Sequence, residues 1–484
     1  MTEPAIKKIC DNVLERITPS EDERKRVYDL AEATKTKVYE ALKDAGLEAD
    51  VNIEGSFAKD TWLSGKENAE ETDVDIFVLY PRTVEREVVE DKSLRISRKT
   101  LEKWDFAKRI GERYAEHPYI EAYIDGVRMN IVPGYRVERG EWITAVDRTP
   151  FHTEYVKARL ESKKHKDAVR LLKRFMKGVG VYGAEIKVRG FSGYLCEILT
   201  IQYHGFLEVL DGTSKWKTGQ VIDIEGYYKG RLDEARKIFN APLIIVDPVD
   251  ERRNAAAAVS MDRFKEFIAA SEIFLENPKM AFFYPPEIES ISDKELKKLF
   301  ASRGSDIVFV AFDAVNVVPD VLWGQLYKSL GALRNIIEEY DFEVIRSFCW
   351  SDEKRMNVFL FEVENGILSP SKKHVGPPIE TREADDFIKK HVNAKHVVCG
   401  PWIENGRWMY EVRRRYIDLT ELLRDKLRNG GKDIGVANKL IENIKTSMKV
   451  LRNVEIVELY HGNKEFAKAF TEFLSGKPRW LSFE

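Results

Sequence analysis

Two aspartates one residue apart, Asp73 and Asp75, lie in the run Asp73-Val74-Asp75-Ile76-Phe77-Val78-Leu79-Tyr80. Val74, Ile76, Val78 and Tyr80 alternate with Asp73, Asp75, Phe77 and Leu79, the period-two pattern of a strand. Successive strand side chains point to opposite faces, so the two carboxylates share one face. Neighbouring carboxylates repel each other unless a cation sits between them. Hard oxygen ligands suit Mg²⁺, which takes one or two carboxylates together with substrate phosphates. A partner for those phosphates stands upstream at Gly55-Ser56, after the short strand pattern of Val51 and Ile53. Glycine lets the backbone come close to a ligand, and Ser56 offers both an N–H and an O–H to a phosphate oxygen. A helix opening just after it would aim free N–H groups at the anion. Either half alone reads as a turn, or as a strand with two solvated aspartates. In this order and together they point to an enzyme.

These residues need elements to position them. Ser20-Glu21-Asp22-Glu23 has the form of a capping box, and the helix it opens is expected to run to about Gly46, burying Val27, Leu30, Val38, Ala41 and Leu42. The loop from Ser64 to Glu71 is polar. A helical pattern is expected near Leu101–Tyr114. Tyr119–Ile124 and Val127–Val132 read as strands joined by Asp125-Gly126, a hairpin signal. An antiparallel neighbour of this kind would bring Asn130 beside Asp73 and Asp75. Past Pro150, Val169, Leu172, Phe175, Met176 and Val179 form one helix face and Arg170, Lys173, Arg174 and Lys177 another. The plain reading of that basic stripe is a solvated face. Ser192 is expected to cap an apolar helix containing Leu195, Ile198, Leu199 and Phe206. Leu243–Val246 reads as a buried strand closed by Asp247-Pro248. After Pro285-Pro286, a strand at Ile307–Phe312, a helix at Leu322–Tyr340 and strands at Phe342–Trp350 and Met356–Val363 suggest a ferredoxin-like unit. The end, from about Asp418, reads as helical with scattered basic residues.

At 484 residues the chain is too long for one core, and two to four domains are expected. No apolar run approaches a membrane span, and Met1-Thr2-Glu3-Pro4 lacks the apolar stretch of a signal peptide. Cys10, Cys196, Cys349 and Cys399 lie far apart, which argues against a disulfide frame or zinc site and for a cytoplasmic location. The net charge of −3 means that any nucleic-acid binding must come from local basic faces.

Gly-Ser followed by a strand bearing Asp-x-Asp resembles the nucleotidyltransferase superfamily of DNA polymerase β. Further stretches narrow the resemblance. Gly55-Ser56-x-Ala58-x-x-Thr61-Trp62-Leu63, Glu116-His117-Pro118-Tyr119, Val146-Asp147-Arg148-Thr149-Pro150-Phe151-His152, Tyr182-Gly183-Ala184-Glu185, Arg189-Gly190-Phe191-Ser192-Gly193-Tyr194-Leu195-Cys196-Glu197, Asp247-Pro248-Val249-Asp250-x-x-Arg253-Asn254 and Ile403-Glu404-Asn405-Gly406-Arg407-Trp408 look like the archaeal, class I CCA-adding enzyme, a tRNA nucleotidyltransferase. The resemblance runs nearly end to end. It implies an α+β, multidomain chain: a polymerase β-like catalytic head (1–150), a helical central nucleotide- and tRNA-binding domain (151–284), and a C-terminal tRNA-binding body and tail with the ferredoxin-like unit (285–484). It implies stepwise addition of C, C and A to the 3′ end of tRNA from CTP and ATP, with two Mg²⁺ ions, in a homodimer without membrane association.

In that family three carboxylates hold the metals, and two of them match Asp73 and Asp75. Gly55, Ser56 and Lys59 match the phosphate-binding turn. His152, Lys173 and Tyr182 match residues that hold the triphosphate, and Arg253 one that reads the incoming base. Read by themselves, these four are a packed histidine, a solvated lysine, a core tyrosine and a capping or ion-paired arginine. Ser56, Lys59, Arg170, Arg174 and Lys177 are expected to meet tRNA. The chain departs from the family at the third metal position, where Asn130 stands in place of Asp. An amide oxygen brings no negative charge and takes no proton from an attacking hydroxyl. The substitution is engineered, or natural with water or phosphate replacing the ligand, or the mark of an inactive tRNA-binding homologue. A poly(A)-type RNA terminal transferase is the rival enzyme, because it shares the catalytic strand.

Overall fold

The computed structural model describes residues 2–66, 72–114 and 117–481. The chain divides into residues 1–287 with 478–484, and residues 288–477. Glu116 and most of the polar loop before Asp73 lie outside the described residues.

The first unit is built around a five-stranded sheet. Its strands are β1 (Asp50–Glu54), β2 (Asp73–Pro81), β3 (Ala107–Tyr114), β4 (Pro118–Ile124) and β5 (Val127–Arg136), in the order β1-β2-β5-β4-β3. Val74, Ile76, Val78 and Tyr80 of β2 face a core shared with Ile120, Met129 and Ile131. The helix Glu21–Asp44 covers that face with Val27, Ala31, Thr34, Val38 and Leu42. Of these, the valine and leucine side chains each contribute about 1.5–3 kcal/mol when fully buried. Leu30 and Ala41, expected in the stripe, are only partly buried; Ala31 and Thr34 take the inner positions. Ser20 caps this helix by accepting from the Glu23 N–H at 3.3 Å. Glu23 does not complete the box. Its carboxylate accepts from the Ser64 hydroxyl at 2.6 Å and the Gly65 N–H at 2.8 Å, and so ties down the chain ahead of β2.

Two expectations need correction here. The helix ends at Glu102, and Ala107–Tyr114 is a strand paired antiparallel to β4. Pairing along β4 outweighs local preference, since what strand preference measures is largely the neighbour it packs against. The β4–β5 hairpin turns at Asp125-Gly126 as expected, but β5 runs parallel to β2. Parallel strands need a long crossover, and the Ser93–Glu102 helix with β3 and β4 provides it.

The rest of this unit is mainly helical. Helices Thr2–Ile17, Thr149–Arg159, Lys163–Val179, Gly193–Tyr203, Phe206–Ser214 and Met261–Glu276 enclose one core rich in phenylalanine, with Phe175 touching Phe206, Phe267, Phe274, Phe282 and Phe283. The expected apolar helix after Ser192 is broken at His204, which caps it in the left-handed region at φ 68°, so Phe206 opens a new helix. A small sheet of β6 (Gln220–Ile222), β7 (Leu243–Asp247) and β8 (Asp250–Asn254) lies in the same unit.

The second unit contains β9 (Asp306–Asp313), the helix Pro319–Glu339, β10 (Val344–Ser351), β11 (Met356–Val363), β12 (Ser371–Pro378), β13 (Val397–Glu404), β14 (Arg407–Arg413) and β15 (Lys449–Arg452). Four strands pair antiparallel in the order β10-β11-β9-β15, a ferredoxin-like arrangement. Its fourth strand lies in the stretch that reads as helical from Asp418 onward. A second sheet, β12-β14-β13, had no counterpart in the sequence reading. Its strands are half-exposed and interrupted by register shifts, which blurs the alternation that marks a strand. The four cysteines are free, and among the described residues no helix is long and apolar enough to cross a membrane.

Candidate active site

β1 leads into a single helical turn, Gly55–Ala58, and Glu54 pairs with Asp75 in the sheet, so the turn begins beside that aspartate. Gly55 has φ 70°, and a Cβ there would collide with the Asp75 carboxylate. Only glycine allows this approach without strain. On the next strand, Arg128 pairs with Asp73 and Asn130 with Asp75. The Asn130 Nδ2 donates to Asp75 Oδ1 at 2.9 Å, while the buried Asn130 Oδ1 has no hydrogen-bond partner. Arg128 reaches Asp73 at 3.4 Å. The Asp75 carboxyl is pushed up to about 6 by burial and by the charge of Asp73, against the pull of the Asn130 amide.

Two neighbouring carboxylates and an orphaned amide oxygen on one sheet face make an all-oxygen donor set, and it fits a hard divalent cation. Among the described residues no three of His, Cys, Asp and Glu converge to hold a metal. Here the third donor is an amide.

Behind the turn lies a buried lattice. Lys59 Nζ meets Glu197 Oε2 at 2.5 Å, and the Thr61 hydroxyl donates to Glu197 Oε1 at 2.5 Å. Lys173 Nζ donates to the Thr61 carbonyl at 3.0 Å. Burial works against the Glu197 charge, but Lys59 and Lys173 hold its carboxyl below the usual range. Burial also lowers Lys173, opposed by Glu197. Lys59 is thus a buried ion-pair partner and does not offer an open surface to RNA.

The expected basic face is corrected too. Arg170 is buried: its guanidinium donates to the Trp62 carbonyl at 3.1 Å, to Asp60 Oδ1 at 2.6 Å and to Asp167 at 2.9 Å. It clamps the segment after the turn and cannot face tRNA. Lys173 is buried beside it. Arg174 and Lys177 are half-buried, with Arg174 donating to the Phe283 carbonyl at 3.0 Å and Lys177 lying 5.3 Å over the Tyr182 ring. Gly193 leaves room for this group, since a Cβ there would stand 3.0 Å from the Tyr182 hydroxyl and 3.4 Å from Lys173. Burial raises Tyr182.

His152, Tyr194 and Arg253 meet on Asp247, which is fully buried. Asp247 Oδ2 lies 3.0 Å from His152 Nε2 and 2.6 Å from Arg253 Nη1. Its Oδ1 accepts from Tyr194 at 3.1 Å and from the Val249 N–H at 3.0 Å. Burial works against the Asp247 charge, yet His152 and Arg253 draw its pKa down to about 2. Burial keeps His152 below its ordinary value against the pull of Asp247, and its Nε2 faces a carboxylate that only accepts. The ring also packs on Tyr194 at 4.0 Å between centroids.

Sequence reasoning missed four of these residues: Arg128, Glu197, Tyr194 and Asp247. Glu197 carried a signal. It is a lone carboxylate inside an apolar helix, and such a group is buried only when paired.

A nucleotidyltransferase domain model matches residues 35–161 and places the sheet and its turn in that class of transferase. Models for the second domain of tRNA nucleotidyltransferase and for the C-terminal domain of the CCA-adding enzyme match residues 167–284 and 303–453. The CCA-adding enzyme of Methanosarcina barkeri is 37% identical over 449 residues, covering 92% of this chain and 94% of that protein. Those of Methanosarcina mazei and Methanothermobacter thermautotrophicus are each 36% identical, covering 92% and 88% of this chain and 94% and 90% of their own lengths. The chain belongs to the archaeal CCA-adding enzyme family.

Proposed function

We propose that this protein adds C, C and A stepwise to the 3′ end of tRNA, using CTP and ATP and releasing pyrophosphate. The carrying observation is the approach of the Gly55 turn to Asp75, beside Asp73 and Asn130. A triphosphate laid over that turn meets the Ser56 N–H and O–H. Asp73 and Asp75 with the amide oxygen of Asn130 would hold Mg²⁺, two ions in our reading. Bound there, the cation would neutralise phosphate charge and align the attacking and leaving oxygens. Lys173 and Tyr182 border the triphosphate, and the Asp247 cluster orients His152 toward it and Arg253 toward the base. The fixed donor fork of Arg253 suits an acceptor edge, cytosine O2 and N3 or adenine N1.

We assign catalysis to residues 1–150, nucleotide and tRNA contacts to 151–284 and a tRNA-binding body to 285–484. The working form is a cytoplasmic homodimer. Arg174 and Lys177 remain the candidates for RNA contact on their helix.

Asn130 shapes the rate. It bonds Asp75 but cannot accept the proton of the acceptor hydroxyl. Radiolabelled CTP and ATP, offered separately with Mg²⁺ to a tRNA lacking its end, test the reading. Expected are C addition from CTP, A addition only after two C residues, and a gain of about 10²-fold or more in Asn130→Asp. A run of A from ATP alone would favour the poly(A)-type reading. Tight tRNA binding with no incorporation by either form would leave only a binding protein. Equal rates for the two forms would refute the metal role of position 130.

A further inference from the structure

The open face of the catalytic sheet does not end at Asn130. Row by row, Asp73 pairs with Arg128, Arg128 with Tyr123, and Tyr123 with Lys108. Paired residues of neighbouring strands project from one face, so a strip runs from the carboxylates across β5 and β4 to the edge strand β3. From β2 to β4 it covers roughly 10 Å, two strand spacings.

The strip ends in a built feature. The ladder between β3 and β4 shifts register between Lys108 and Gly111, and Arg109 inside the shift has φ 51°. A bulge re-aims a side chain, and a non-glycine residue held in the left-handed region signals a constraint the surroundings must sustain. Here the guanidinium is carried over the Tyr123 ring, 5.5 Å from its centroid. Phe106 stands beside it, 61% exposed. Together with Lys108 they line a cavity of about 460 Å³. Of the nearby carboxylates, Asp125 is held by Arg26 at 3.1 Å and Glu121 by Arg113 at 2.9 Å; Asp105 lies on the rim. An exposed aromatic beside an arginine and a lysine is the composition that stacks an unpaired base and neutralises its phosphate.

The order of the sheet says which ligand arrives there. The triphosphate turn adjoins β1, on one side of the aspartates. In an in-line displacement the attacking hydroxyl must come from the other side, over β5 toward β4 and β3. We infer that Phe106, Lys108, Arg109 and Tyr123 form a stacking platform for one unpaired base of the RNA strand upstream of the reacting 3′ hydroxyl. This inference rests on the function proposed above.

The test uses the full chain and a minihelix of tRNA acceptor and T arms, with 2-aminopurine in its unpaired 3′ end. Titration with the wild type should change the probe's fluorescence. The double variant Phe106→Ala/Arg109→Gly should bind about tenfold more weakly and lose that change. Glycine takes φ 51° without strain, so the melting temperature and CTP affinity should hold. A blunt minihelix without the unpaired end should bind both forms alike. If the wild type does not bind the tailed minihelix, the proposed function fails and the platform with it. If it binds and the variant matches it within twofold, the platform alone is wrong. An equal loss on the blunt minihelix would also overturn it.

Discussion

The open face of β2 and β5 and the buried clusters around Glu197 and Asp247 are all gatherings of charge, and they are compensated in opposite ways. Glu197 has Lys59, Thr61 and Lys173 around it, and Asp247 has His152, Tyr194, Arg253 and a backbone N–H. Their carboxyls sit below the usual range. Asp75 has one amide and a like-charged neighbour, and its carboxyl sits above it. A satisfied buried charge is architecture. A strained pair left on a sheet face marks where a ligand's charge completes the account.

Breaking the satisfied side should hurt folding most. Glu197→Gln leaves Lys59 buried without its partner, and a loss of about 3–5 kcal/mol is expected in denaturant unfolding. Adding Lys59→Met should recover part of it in a double-mutant cycle, and strict additivity would show that the pair does not act as a unit.

Breaking the strained side should do the reverse. Asp75→Asn is expected to cost about 10³-fold in nucleotide incorporation while leaving the melting temperature unchanged or raised, because it removes a repulsion. A marked drop in melting temperature would mean that Asp75 is structural.

Acid sharpens the contrast. Asp247 has its pKa depressed from 3.8 to about 2, so its contribution is present above pH 4 and is lost as the pH falls through 2. The shift is worth about 2 kcal/mol. The stability gap between wild type and Asp247→Asn should therefore narrow between pH 4 and 2. A gap that stays constant there would place the Asp247 contribution elsewhere than in its charge. The smallest effect is expected from Ser56→Ala, a rise of about tenfold in KM for CTP from one lost hydrogen bond to a charged group, with the melting temperature unmoved.

Much of the site was legible because it is local. Alternation along Asp73–Tyr80 put two carboxylates on one face, and Asp125-Gly126 fixed the hairpin that carries Asn130. The helix Lys163–Val179 shows where such reading stops. Its spacing separates apolar from basic residues correctly, yet Arg170 and Lys173 are buried, because Asp60, Thr61 and Glu197 arrive from other segments to receive them. In the same way the residues of β3 carry a helical pattern, and pairing with β4 decides that they form a strand.

By itself, then, the sequence determined what short-range periodicity and turn chemistry can encode: the strand with its two aspartates, the glycine turn, the hairpin and the first β-α-β-β elements of the ferredoxin-like unit. Tertiary structure alone decided which charges are spent inside and which are left exposed. A side chain's period is set by its own backbone, but its partner comes from anywhere along the chain.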